Sequence, residues 1–281
     1  MNKLIRYLLI LGLVSLLPGT AAHPSQDGSL RFEVLLNRQM LRPADANVDF
    51  IDSLGLTGNR LIALAAKDRF FLLGWGGIEP VVRISANPID SFAYTPDGLL
   101  MIVRDQELGC MDSNGNISKL FALPHKAMGI SAGKYVMYVY DRYEGQSMNG
   151  LYAVAQGGRY TQLLRIPTPI SSLVEMDHSI LFATRNAIFH YDLKTKELTP
   201  RTALTDDERI ISIETDSSTG RIFFSTDRKL FELVDDQAVL LSDKFGGVLR
   251  YFDKGLIIFN TGKKLLVRIV GLPKTRLTDK P

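Results

Sequence analysis

The chain is short of cysteine and of net charge, and each shortage removes a class of explanation. Cys110 is the single cysteine in 281 residues, so no disulfide can form within the chain and the fold must rest on its core. A lone thiol in an exported protein is either open to intermolecular pairing or serves as a small apolar side chain in a buried strand. The apolar run around Cys110 fits the second role. Lysine and arginine total 33 against 30 acidic residues, and setting Lys3 and Arg6 aside leaves 31 against 30. A nucleic-acid partner would want a strong basic excess, so nothing points to one. No Pro/Gly/Ser-rich linker divides the chain. His-Glu-x-x-His, phosphate-loop and dinucleotide patterns are also missing.

Long apolar runs are scarce. The one conspicuous run, Leu8 to Leu17, is too short to span a bilayer comfortably. Lys3 and Arg6 precede it, Pro18-Gly19 break it and Thr20-Ala-Ala22 offer small residues for cleavage. Residues 1–22 therefore read as a signal peptide. The expectation is a periplasmic or secreted protein whose mature chain, 23–281, is a single domain with no integral membrane segment.

What is present is a repeat. Leu61, Leu99, Tyr135, Ile180, Ile222 and Leu256 each open a short apolar strand, at intervals of 34 to 45 residues. A period near ~40 built only of strands indicates propeller blades of four strands. The second strand of each unit is apolar on both faces, as in Tyr135–Val139 or Leu256–Phe259, which suits a sheet sandwiched between two others. Third strands are anchored at Phe70, Leu108, Leu151, Ile188, Leu230 and Leu265. Turn signals such as Asn114-Gly115 and Asp235-Asp236 lead to fourth strands, and Pro88, Pro124, Pro167 and Pro200 punctuate the exits. The sixth unit supplies only three strands before a polar tail, 274–281. The alternating segment 29–37 precedes the first unit and is expected to close the ring as the outermost strand of the last blade. The fold class is thus an all-β, six-bladed propeller of four-stranded antiparallel blades.

Phe92-Ala-Tyr-Thr-Pro-Asp-Gly98, continuing to Met111-Asp-Ser-Asn-Gly115, resembles the repeat of NHL and TolB-like six-bladed propellers. Ala132-Gly133, Asp216 to Gly220 and Asp253 to Gly255 echo its first turn. These motifs are turn chemistry, and the resemblance implies a fold more than an activity.

Function is then sought where units depart from one another. In such a meander the turns between second and third strands share one face with the connections between blades. The third unit carries about seven extra residues there, around Arg142, Tyr143 and Glu144, and the connection to the fifth unit is acidic at Asp206, Asp207 and Glu208. Basic residues such as Arg104 and Arg185 recur on the same face, mostly beside Asp or Asn. Read as recognition loops on a rigid scaffold, these residues predict a non-enzymatic protein that binds another exported or envelope protein, or a small ligand. The alternative is a divalent-cation-dependent hydrolase of small lactones or esters at the mouth of the central channel. Gluconolactonase-like propellers hold a cation there through Glu, Asn and Asp. The corresponding candidates are Asp52, Asp90 and Glu214, with Asn47 and Asn87 nearby, and Ca²⁺ or Mg²⁺ would suit their hard oxygens. The scaffold reading needs no cofactor and no catalytic residue. Of the histidines, only His125 lies near that mouth, with no identifiable partner.

Overall fold

A computed structural model describes residues 31–36, 51–57, 60–65, 69–74, 77–83, 88–112, 114–141, 148–155, 158–205, 207–252, 255–260 and 265–270. Phe32–Val270 group as one compact unit; of the second grouping, 1–31 with 271–281, only Arg31 is among the described residues. Every regular element described is a strand, and among the described residues no helix is long and apolar enough to cross a membrane.

The strands run in chain order from β1 (Arg31–Leu36). The first blade is β2 (Ile51–Thr57), β3 (Arg60–Ala65), β4 (Arg69–Gly74) and β5 (Gly77–Arg83). The next is β6 (Ser91–Tyr94), β7 (Leu100–Arg104), β8 (Glu107–Met111) and β9 (Ile117–Ala122). Then come β10 (Ala127–Ala132), β11 (Met137–Asp141), β12 (Asn149–Val154) and β13 (Tyr160–Ile166), followed by β14 (Ser172–Met176), β15 (Ser179–Ala183), β16 (Ala187–Asp192) and β17 (Leu198–Ala203). The chain continues through β18 (Ser212–Asp216), β19 (Arg221–Ser225), β20 (Leu230–Val234) and β21 (Gln237–Ser242). It ends with β22 (Val248–Phe252), β23 (Gly255–Asn260) and β24 (Leu265–Val270).

Five sheets, from β2–β5 to β18–β21, are each made of four strands consecutive in sequence. β22, β23 and β24 form a further meander, and the strand order sets β1 beside β24. All registered pairs are antiparallel, for example Ile222↔Leu233 and Leu256↔Ile269. The fold is an all-β propeller of four-stranded antiparallel blades.

The core lies between blades, which explains why second strands are apolar on both faces. Met101, Val103 and Leu108 of one blade pack with Ile130, Met137 and Val139 of the next. Tyr138, Leu151 and Ile166 in turn pack with Leu173, Ile180 and Phe182. Every residue of β11 is buried, whereas the outer strand β9 is exposed along most of its length.

The outer pairs share a device. In each of the five four-strand blades the register slips between the first two residues of the third-strand anchor: Phe70/Phe71, Leu108/Gly109, Leu151/Tyr152, Ile188/Phe189 and Leu230/Phe231. A bulge at that point steepens the local twist as the sheet fans outward. Pro200, expected to mark a blade exit, instead sits inside β17 opposite Phe189 at this bulge, where a missing N–H costs little. The segment from Arg201 to Ala203 is therefore strand and not loop. Two expected strand starts also shift outward. Leu99 and Tyr135 precede β7 and β11 and are 47% and 77% exposed.

Candidate active site in the central channel

The first strand of each blade faces the middle of the ring. Gly55, Ser91, Ile130, Ser172, Glu214 and Arg250, one from each first strand, all line a cavity of about 470 Å³. A first strand has a partner on one side only, so half of its backbone groups face the channel or the next blade. Serines occupy this gap. Ser172 Oγ accepts the Ile213 N–H at 3.1 Å, Ser212 Oγ accepts the Leu249 N–H at 3.1 Å, and Ser131 Oγ donates to the Leu173 carbonyl at 2.9 Å. Each bond joins one blade to its successor and satisfies a group that would otherwise be stranded.

Glu214 and Arg250 hold the third positions of β18 and β22, opposite Phe223 and Ile257. Their equivalent registers bring the two side chains to the same level of the channel, with Arg250 Nη1 3.7 Å from Glu214 Oε2. The Glu214 side chain retains 17% of its surface, so the carboxyl is reachable from the cavity yet largely desolvated. Burial lifts its pKa above the ordinary glutamate value, and Arg250 and the Thr215 N–H only partly oppose this. Tyr140 also lines the cavity, and burial raises its hydroxyl to about 12 against the pull of Arg250. Gly129 makes room for that ring, because a Cβ there would overlap the Tyr140 hydroxyl.

The expected cation candidates do not assemble. The Asp90 carboxylate accepts the Asp105 N–H at 2.7 Å, and Glu214 faces Arg250. Asn47, Asn87 and the side chain of Asp52 lie outside the described residues. A third channel carboxylate, Glu175, is held by the Tyr138 hydroxyl at 2.7 Å and by the Lys134 N–H. Among the described residues no three His, Cys, Asp or Glu side chains gather in a way that could hold a metal ion. Among the described residues, then, Asp90 and Glu214 are engaged within the chain and do not converge as cation ligands.

The loop-face candidates scatter. Arg142, Tyr143, Glu144 and Asp206 lie outside the described residues. Arg104 turns to Glu107 at 3.3 Å, Glu208 to Lys229, and Arg185 and Asp207 are exposed. Asp141 and Asn149, at the two ends of the long third-blade turn, are buried and serve the fold. Asp141 accepts from the Tyr152 hydroxyl at 2.9 Å, and Asn149 Nδ2 donates to the Pro167 carbonyl at 3.1 Å. Of the histidines, His178 is exposed and His190 half-buried, neither in the cavity wall.

Arg250, Tyr140 and Glu175 escape a reading of the sequence that compares equivalent segments. The stretch Gly247-Val-Leu carries no charge, but the residue that matters is one further along. Gly129-Ile-Ser-Ala-Gly133 does spell the Gly-x-Ser-x-Gly pattern of serine hydrolases. Ser131, however, stands within β10 and spends its hydroxyl on Leu173, not at the strand-to-helix turn that exposes such a nucleophile.

No family model matches the chain, and no curated protein does either. Solved structures do match. A gluconolactonase from Xanthomonas campestris superposes with a TM-score of 0.69 at 10% identity, over 86% of this chain and 90% of the other. A luciferin-regenerating enzyme superposes with a TM-score of 0.67 at 10% identity, over 87% and 96%. At this identity the likeness carries the propeller fold. The expectation of a non-enzymatic binding scaffold is corrected by where the chemistry lies: the desolvated ionisable groups line the channel, while the described loop-face residues are paired or solvated, and the two propellers of like fold are themselves enzymes.

Proposed function

We propose that this protein hydrolyses small lactones or esters inside the central channel, with Glu214 as general base. The observation that carries the reading is a mostly buried carboxyl, raised in pKa, that opens onto a cavity of about 470 Å³. A carboxylate whose pKa is raised is, in its ionised form, a stronger proton acceptor than an ordinary one. Glu214 takes a proton from a water molecule whose oxygen attacks the carbonyl carbon. The ring or ester C–O bond then breaks, and Glu214 returns the proton to the departing alkoxide. The Tyr140 hydroxyl, kept protonated, donates to the oxygen on which charge develops. No step runs through a cation.

The same reading takes the ring as six blades, with β1 completing the last. Its support is the unbroken circle of contacts between first strands: β2 on β6, β6 on β10, β10 on β14, β14 on β18, β18 on β22 and β22 on β2. Turns of the NHL and TolB-like kind support the finer kinship. In one, Gly98 N–H bonds the Thr95 carbonyl; in another, the Asp112 carboxylate accepts from Asn114 at 2.8 Å. Export through the leader 1–22 to a periplasmic or secreted destination belongs to the proposal, on the strength of Lys3, Arg6 and the apolar run that follows.

The test is turnover of γ-butyrolactone and an aryl acetate by residues 23–281. Glu214→Gln is expected to lower kcat by roughly 10²–10⁴-fold and to leave a cooperative thermal transition. The wild-type rate should rise with pH through a single ionisation above the usual glutamate range, as Glu214 becomes charged. An unchanged rate in the variant removes Glu214 from this role.

A further inference from the structure

We propose that the Arg250 guanidinium supplies the fixed positive charge of this channel, in place of a divalent cation, and makes the channel a binding site for a carboxylate. The ligand class, the hydroxy acid left by ring opening, rests on the hydrolase reading; the site itself rests on geometry. Arg250 is the one basic side chain among the described residues that line the cavity. It retains a quarter of its side-chain surface. One N–H is committed to the Leu249 carbonyl at 2.7 Å, and Glu214 at 3.7 Å lies beyond hydrogen-bond reach. The planar fork is thus charge-balanced by Glu214 but not closed upon it. Such a fork matches the two oxygens of a carboxylate. The Tyr140 hydroxyl, on the same cavity wall and within the field of Arg250, adds a neutral donor, held only at 3.5 Å from the Ser171 carbonyl.

A cation drawn to the same level would meet the guanidinium at short range, where like charges repel strongly. The three carboxylates among the described residues of the channel would not offset this, because each already faces a partner in the chain. Asp90 holds Asp105, Glu175 holds Tyr138 and Lys134, and Glu214 balances Arg250. The arrangement also sets Glu214 against a bound anion. An ionised Glu214 repels the product carboxylate and promotes its release, so neutralising Glu214 strengthens its retention.

The experiment is calorimetric titration of 4-hydroxybutyrate into residues 23–281, in chelator and again with CaCl₂ or MgCl₂. The proteins are the wild type, Glu214→Gln, and Glu214→Gln with Arg250→Met. The double variant removes both charges, so no buried carboxylate is left unpaired to unfold it. Saturable binding in chelator is expected for the wild type, tighter binding for Glu214→Gln, and binding weaker by roughly tenfold or more for the double variant. Binding that requires Ca²⁺ or Mg²⁺, that survives Arg250→Met, or that is absent from the wild type overturns the proposal. If binding behaves as expected while lactones are not turned over, the hydrolase reading falls alone. If turnover depends on Glu214 while binding ignores Arg250, this inference falls alone.

Discussion

Two carboxylates on β18, two residues apart, are driven in opposite directions by their surroundings. Glu214 is raised because burial outweighs Arg250. Asp216 is buried too, and burial pulls it upward. The hydroxyls of Ser218 at 2.6 Å and Thr219 at 2.5 Å, with the Ser218 N–H at 2.9 Å, overcome that and hold it at about 2, against an ordinary 3.8. That difference is worth about 2 kcal/mol. Because the folded value is depressed, the stability is present above the unfolded pKa and is lost as pH falls from about 4 toward 2. Asp216→Ala is expected to lower unfolding free energy at pH 7 by roughly 2–3 kcal/mol. In urea titrations the gap to wild type should narrow steadily below pH 4; a gap independent of pH would mean that the carboxylate charge is not what holds the turn. Glu232, at a strand position where other units carry Leu72, Ala153 or Val267, has an equally local cause. Its carboxylate takes Arg221 Nε at 2.7 Å and Nη2 at 2.8 Å.

At the scale of elements, the inner edges decide whether the blades form one body. The serine bonds from β14 to β18 and from β18 to β22 satisfy first-strand N–H groups that have no strand partner on that side. Ser212→Ala would leave the buried Leu249 N–H unsatisfied, at a cost of roughly 1–3 kcal/mol. For a domain of this size each kilocalorie lowers Tm by roughly 2–4 °C. The expected result is a drop of several degrees together with faster amide exchange at Leu249; an unchanged melt would assign the serine a passive place. The apolar second strands and the third-strand anchors were legible because burial on both faces leaves a run of large side chains. The serine bonds were not, since a serine in a strand reads the same whether it meets water or a neighbouring backbone. Pro200 misled for a related reason: a proline at a bulge and one at a strand exit have the same local sequence.

For the whole molecule the question is closure. If β1 completes the last blade, loss of residues 23–37 exposes the edge of β24 and unlocks a ring in which each blade buries its faces on two others. A single cooperative transition at markedly lower temperature is then expected in a thermal melt, with far-UV circular dichroism and tyrosine fluorescence falling together. A transition at the wild-type temperature would show the ring standing without that strand.

Period, strand polarity and turn residues are local quantities, and from them the sequence determines an all-β chain of repeated four-stranded meanders without an internal disulfide or a strong charge. The channel chemistry is not local. Glu214 and Arg250 are separated by a whole blade in sequence and meet because equivalent registers in neighbouring first strands set them at one height. Tyr140 joins them from a second strand, across a gap that Gly129 leaves open. Register and ring geometry decide such encounters, and only the folded molecule contains them.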